Sequence, residues 1–112
     1  MKVRFKNDRL QRTCESEKDL KKDFGQKRAK KIQMRLAVLE AAETLEQVPH
    51  TPPERRHQLV GNRDEEFAVV VEDQWRIIFR ADHLEVPRKP DGGIDIAKVT
   101  SIMVIDICED YH

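Results

Sequence analysis

The last four residues of the chain, "EDYH", set Asp110, Tyr111 and His112 side by side. An imidazole with a pKa of about 6.5 can give or take a proton near neutral pH. The carboxylate of Asp110 would favour the charged imidazolium, which suits a proton donor. A second imidazole, His57, opens "HQLVGNRDEEF", and Arg76 follows in "WRIIFR". Metal-free cleavage of RNA needs a set of this kind. A base takes the proton of the ribose 2′-hydroxyl, an acid protonates the leaving 5′-oxygen, and a cation steadies the charge on the phosphate. Arginine offers phosphate a planar fork, and a tyrosine ring gives a base a surface on which to stack. His57 and the chain end meet only if the segment at His57 joins the sheet. A His, an Arg and a Tyr occur in most domains of this size, so the set by itself is generic.

Other chemistries lack their residues. His50 in "VPHTPPE" and His83 in "ADHLE" have no partner in the sequence and read as exposed. There is no Gly-rich phosphate loop, HExxH, CxxC or G-x-S-x-G, so neither a cofactor nor a metal is implied. Cys14 and Cys108 are far apart and read as reduced thiols of a cytoplasmic protein. Cys108, near the end of an apolar strand, reads as core. Glu109 beside Asp110 reads as solvating charge rather than a glycosidase pair.

The elements that must position these residues change in kind along the chain. "KVRF" alternates Val3 and Phe5 as a short strand. Asn7 or Asp8 can cap a first helical segment that carries Leu10, Cys14, Leu20 and Phe24, with "SEKD" as a loose capping pattern and Gly25 as its end. From Gln26 to about Gln47, apolar residues recur every three or four positions, the mark of a helix burying one side. Lys27, Lys31 and Arg35 form a separate stripe at spacings of four. That ladder suits an RNA or ribosomal backbone or an acidic partner, although a plain solvated face is the commoner meaning of such a stripe. "EFAVVVE" and "WRIIFR" read as a hairpin turning at "EDQ", with Arg76, Ile78 and Arg80 on one side. "EVPRKPDGGIDIAK" reads as a surface loop, and "VTSIMVIDIC" as the last strand. The expectation is an α+β fold: two N-terminal helical segments packed on a small, mainly antiparallel twisted sheet, in one domain over 1–112.

Charge narrows the partners. The formal net charge is zero, yet residues 1–63 hold 16 Lys and Arg against 9 Asp and Glu, and residues 64–112 hold 5 against 12. The basic half can meet phosphate, while the acidic half argues against a general affinity for duplex DNA. No apolar run approaches the roughly 18 residues of a membrane span. "MKVRFKNDR" lacks the apolar stretch of a signal peptide.

"HQLVGNRDEEFAVVVEDQWRIIFR" with the closing "EDYH" resembles the HigB-type "killer" toxins of bacterial type II toxin–antitoxin systems, in the RelE/ParE superfamily. L-x-G-[DN]-R, Q-W-R-I and D-Y-H, in that order, carry the resemblance, and the helical half matches in layout. It implies a RelE-like fold and a ribosome-dependent endoribonuclease, an mRNA interferase that cuts mRNA in the ribosomal A site. It also implies a cognate helix-turn-helix antitoxin, through which alone DNA is met. The active-site set carried across is His57, Arg76, Asp110, Tyr111 and His112. The two histidines, helped by Asp110, would handle protons, Arg76 would stabilise the transition state, and Tyr111 would position the nucleotide. Active members can carry a lysine three residues after the first histidine, where this chain has Val60. Arg63 or Arg56 is then the cation to replace it. Val60 and the near-zero charge favour a second reading, a weakly catalytic module that holds its antitoxin and tunes repression. A third is a gyrase inhibitor of the same superfamily, against which the D-Y-H ending counts.

Overall fold

Apolar residues two apart in "KVRF" do form a strand, β1 (Lys2–Phe5), with Val3 and Phe5 packed against the core. The structure, a computed structural model, describes residues 1–63 and 65–109. The first helical segment is split in two, α1 (Asp8–Glu15) and α2 (Glu17–Phe24). Asn7 Oδ1 accepts the Leu10 N–H at 2.9 Å and caps α1. Ser16 then does two jobs. Its backbone N–H closes α1 onto Thr13 O, and its hydroxyl accepts the Asp19 N–H at 3.1 Å to open α2. The capping pattern at "SEKD" therefore marks a helix boundary inside the segment. Gly25, at φ 85°, ends α2 and turns the chain into α3 (Gln26–Ala41).

The expected helix to about Gln47 stops earlier. Ala42 is extended, and Leu45–Gln47 form a separate 3₁₀ turn. Two competing sets of hydrogen bonds explain the stop. The Met1 amino group donates to the Leu39, Glu40 and Ala42 carbonyls, and the Leu45 N–H donates to Val99 O at 3.0 Å. Leu45 and Val48 remain fully buried all the same.

The rest is sheet: β2 (His57–Gln58), β3 (Glu66–Glu72), β4 (Trp75–Ala81) and β5 (Ser101–Glu109). The order is β1-β5-β4-β3-β2, antiparallel except for the β1–β5 pair. The helices cover one face. Leu20, Ile32 and Leu39 pack there against Phe67, Val69, Ile77, Phe79, Ile102 and Val104, all essentially without exposure. The expected α+β architecture holds, with three helices in place of two segments.

The register of β3 against β4 shifts between Val70 and Glu72. Arg35, buried beneath α3, uses that irregularity: its Nε donates to Val70 O at 2.7 Å and its Nη2 to Val71 O at 3.3 Å. Glu72 is met by Lys31 at 3.3 Å and Lys27 at 3.9 Å. Arg28 Nε also lies 3.3 Å from it, without hydrogen-bond alignment, and the guanidinium sits 4.4 Å over the Trp75 ring. Phe24 meets the same indole edge-on.

The segment between β4 and β5 is a pinned loop. Ile94 and Val99 are buried, Arg88 and Ile94 form a β-bridge, and Arg88 Nη2 donates to Glu65 Oε1 at 2.6 Å. That hydrogen bond holds the Glu65 carboxyl below its ordinary range.

Two measurements test these contacts. Arg35→Leu leaves two sheet carbonyls without their donor, and urea unfolding should show a loss of about 2 kcal/mol. A lowered carboxylate stabilises above its unfolded pKa of about 4.3 and loses that contribution as pH falls through the folded value. The Arg88 guanidinium resonances should therefore move as pH falls below the ordinary carboxylate range, and should not do so in Glu65→Gln.

Candidate functional site

Alternation along β4 sends Ile77 and Phe79 into the core and Arg76, Ile78 and Arg80 to the uncovered face. Cross-strand register then builds that face in rows. His57 stands opposite Ala68, Ala68 opposite Ile78, and Ile78 opposite Asp106. In the next row Val70, Arg76 and Cys108 are aligned. A cavity of about 180 Å³ opens over these rows, lined by His57, Arg63, Arg76 and Cys108 among polar groups and by Leu59, Val60, Ala68 and Ile78 among apolar ones.

Each charged side chain on this wall is fixed by a local device. His57 lies on the edge strand, and its Nδ1 is 2.9 Å from Arg55 O. A carbonyl only accepts, so Nδ1 carries the proton and Nε2 is the basic nitrogen of the neutral ring. Arg76 Nη1 donates to Asp73 O at 2.7 Å and Trp75 O at 3.1 Å, the carbonyls of its own hairpin turn. Asp73 adopts φ 49° to close that turn. Arg63 ends the short 3₁₀ turn Gly61–Arg63, and its Nε donates to Glu66 Oε1 at 2.6 Å. The wall thus carries one base and two guanidiniums, suited to a phosphodiester and a proton to be removed beside it.

The expected residues divide into three groups. His57, Arg63 and Arg76 line one cavity. Asp110, Tyr111 and His112 lie outside the described residues; β5 is described to Glu109, opposite Trp75. Lys27, Lys31 and Arg35 sit on α3, on the helical side of the sheet, away from the cavity. Arg35 is buried with its donors on sheet carbonyls, so the smooth ladder seen in the sequence presents only its lysines. Val60, in place of the lysine, stands on the cavity wall and is 87% exposed.

Cys108 was expected in the core and instead lines the cavity, half-buried. The β4–β5 register shifts between Ile78 and Phe79, so Ile105 is an extra residue. Inward positions on β5 then run Ile102, Val104, Ile107, and Cys108 turns outward. No period-two reading finds that flip. Cys14 is the opposite case: burial, then the Glu15 charge, pushes its thiol up to about 11. Among the described residues no three His, Cys, Asp or Glu side chains group to hold a metal ion, and no helix is long and apolar enough to cross a membrane.

A family model described as "RelE-like toxin of type II toxin-antitoxin system HigB" matches residues 3–87. The chain belongs to the HigB-like toxin family. It is thus a type II toxin, and its family implies an antitoxin partner. Among solved structures, the YoeB/ParE toxin from Agrobacterium tumefaciens is similar with a TM-score of 0.59, covering 99% of this chain and 100% of that one at 11% identity. The likeness shows a shared RelE-like fold. No curated protein sequence matches the chain. In this HigB-like toxin the matched stretch ends at residue 87, so most of the pinned loop and all of β5 lie beyond it.

Nitrogen-15 NMR checks the base. In the neutral ring, His57 should show a protonated Nδ1 and an unprotonated Nε2; the reverse tautomer would remove Nε2 as the proton acceptor.

Proposed function

We propose that this HigB-like toxin is a ribosome-dependent endoribonuclease that cuts translated mRNA by metal-free acid–base chemistry, without a cofactor. The observation that carries the reading is the convergence of His57, Arg63 and Arg76 on one small cavity. At about 180 Å³ it is too small to enclose a typical small-molecule ligand but admits a phosphate with part of its ribose. Residues 1–112 act in this proposal as one toxin domain.

His57 Nε2 takes the proton of the ribose 2′-hydroxyl. The freed oxygen attacks the adjacent phosphorus, a 2′,3′-cyclic phosphate forms, and the bond to the 5′-oxygen breaks. His112, helped by Asp110, delivers a proton to that leaving oxygen. Arg76 and Arg63 meet the negative charge gathering on the phosphoryl oxygens, and Tyr111 stacks on a base. On the helical side Lys27, exposed, and Lys31, half-buried against Glu72, face ribosomal RNA in this reading. Arg35 is left out because it is buried. The antitoxin that silences the site is of the helix-turn-helix kind, and the pair meets operator DNA through it.

Val60 favours a second reading. A lysine is absent from the wall where a phosphate would sit, so the fold would serve mainly to hold the antitoxin.

Mapping of 5′ ends in translated mRNA after induction separates the two. Wild type should create new ends at in-frame codons. His57→Ala and Arg76→Ala should each reduce cleavage by about 10²–10³-fold, and Val60→Lys should raise it by at least about tenfold. No new ends from folded wild type, with none gained in Val60→Lys, would leave the binding module.

A further inference from the structure

Arg80 lies four residues beyond Arg76 on the same strand and the same uncovered face. The carboxylates around it are already engaged: Glu66 by Arg63 at 2.6 Å, Glu65 by Arg88 at 2.6 Å and Asp82 by Arg4 at 3.2 Å. The contact its own guanidinium makes is to Met103 Sδ at 3.4 Å, a weak acceptor. Among the described residues Arg80 thus has no carboxylate partner, and it is exposed.

Beside it is a cavity of about 320 Å³, lined by Arg80, Glu65, Asp82, His83, Val86 and Ile94. Its parts suit a nucleotide. Val86 and Ile94 give an apolar wall, and the lone pairs of Asp82 that Arg4 leaves over can accept from the amino group of a base. The His83 ring is an aromatic surface held in place, because its Nε2 accepts the Thr100 N–H at 3.1 Å. The apolar wall comes from the loop between β4 and β5, pinned by Arg88 on Glu65. Between the two arginines stands Ile78, which also lines the cavity that holds His57.

We propose that Arg80 and this cavity form a second nucleotide subsite, which holds single-stranded RNA beside the scissile position. The inference rests on the nuclease reading above. Four strand residues span about 13 Å, at roughly 3.3 Å each. A single phosphate cannot meet both ends of that span, so Arg76 and Arg80 take different phosphates. Cations at either end of an apolar stretch of β4 suit phosphates separated by sugars and bases along a strand. This favours RNA over a protein partner.

The test uses the purified full chain and 2′-O-methyl oligoribonucleotides, which cannot be cut, from dinucleotide to pentanucleotide. Fluorescence anisotropy reads affinity at several salt concentrations for wild type, Arg80→Ala, Arg80→Lys and Arg76→Ala. Wild type should gain about tenfold in affinity at the length that reaches Arg80. Arg80→Ala should lose that step and reduce the salt slope by about one, while keeping the affinity of the shortest oligonucleotide. Arg80→Lys should recover the slope. Unchanged length dependence and slope in Arg80→Ala overturn the subsite, as does a wild type that binds none of the series. If Arg76→Ala binds the dinucleotide like wild type, the nuclease reading fails as well. If Arg76 matters and Arg80 does not, only the subsite falls. Equal melting temperatures of the variants exclude misfolding as the cause.

Discussion

Arg35 reaches from α3 to the carbonyls of Val70 and Val71, at the place where the β3–β4 ladder slips. Much of the candidate site depends on that anchor. It fixes the end of β3, and two residues later the turn begins whose carbonyls hold Arg76. A buried guanidinium is costly unless its donors are used, and here the irregular strand supplies acceptors that a regular ladder would have consumed. The neighbouring lysines and Arg28 gather around Glu72 for a related reason. An acid brought against the helix by the register slip needs cations, and α3 presents them at spacings of three and four. The stripe of positive residues on α3 is therefore partly a fastening between helix and hairpin.

The sheet divides its labour by face. One side is closed by three helices, and the other is left open over β2, β3, β4 and the end of β5. The small size of the cavity follows from its construction, because it is a shallow trough across strands and not a gap between domains. Side chains enter it from several strands and a turn, and three of them have a local tether. His57 is held by Arg55 O, Arg76 by its turn and Arg63 by Glu66. Such tethers pre-position charged groups on an accessible wall, beside apolar side chains.

Much of this was legible in the sequence. The alternation in "WRIIFR" gave the correct sides for all six residues of that stretch, and the strands, the hairpin and the α+β class follow from simple periodicity. Most of the misses, Ser16 apart, share a cause: contacts between distant segments overrode a local pattern. Leu45 keeps the helical spacing, yet Val99 takes its amide and the helix ends before it. Ser16 looks like one cap of a continuing segment and is the joint between two helices. Cys108 follows an apolar run, and one extra residue on β5 turns it outward. Arg35 continues a run of cations but belongs inside. For the site itself, His57 and Arg76 were named from their types and the family resemblance, while their convergence needed the pairing of a two-residue strand that no propensity marks.

The parallel pairing of β1 with β5 sets Lys2 against Ser101 and Phe5 against Val104. Most of the chain lies between these partners, so their closure is a long-range contact and a slow one to form. During synthesis β1 has no strand to pair with until β5 has been made and has left the ribosome. Until then the growing chain lacks the strand between β1 and β4, and with it the Cys108 side of the trough. A copy of the chain that lacks β5 is left with β1 unpaired and one wall of the trough missing.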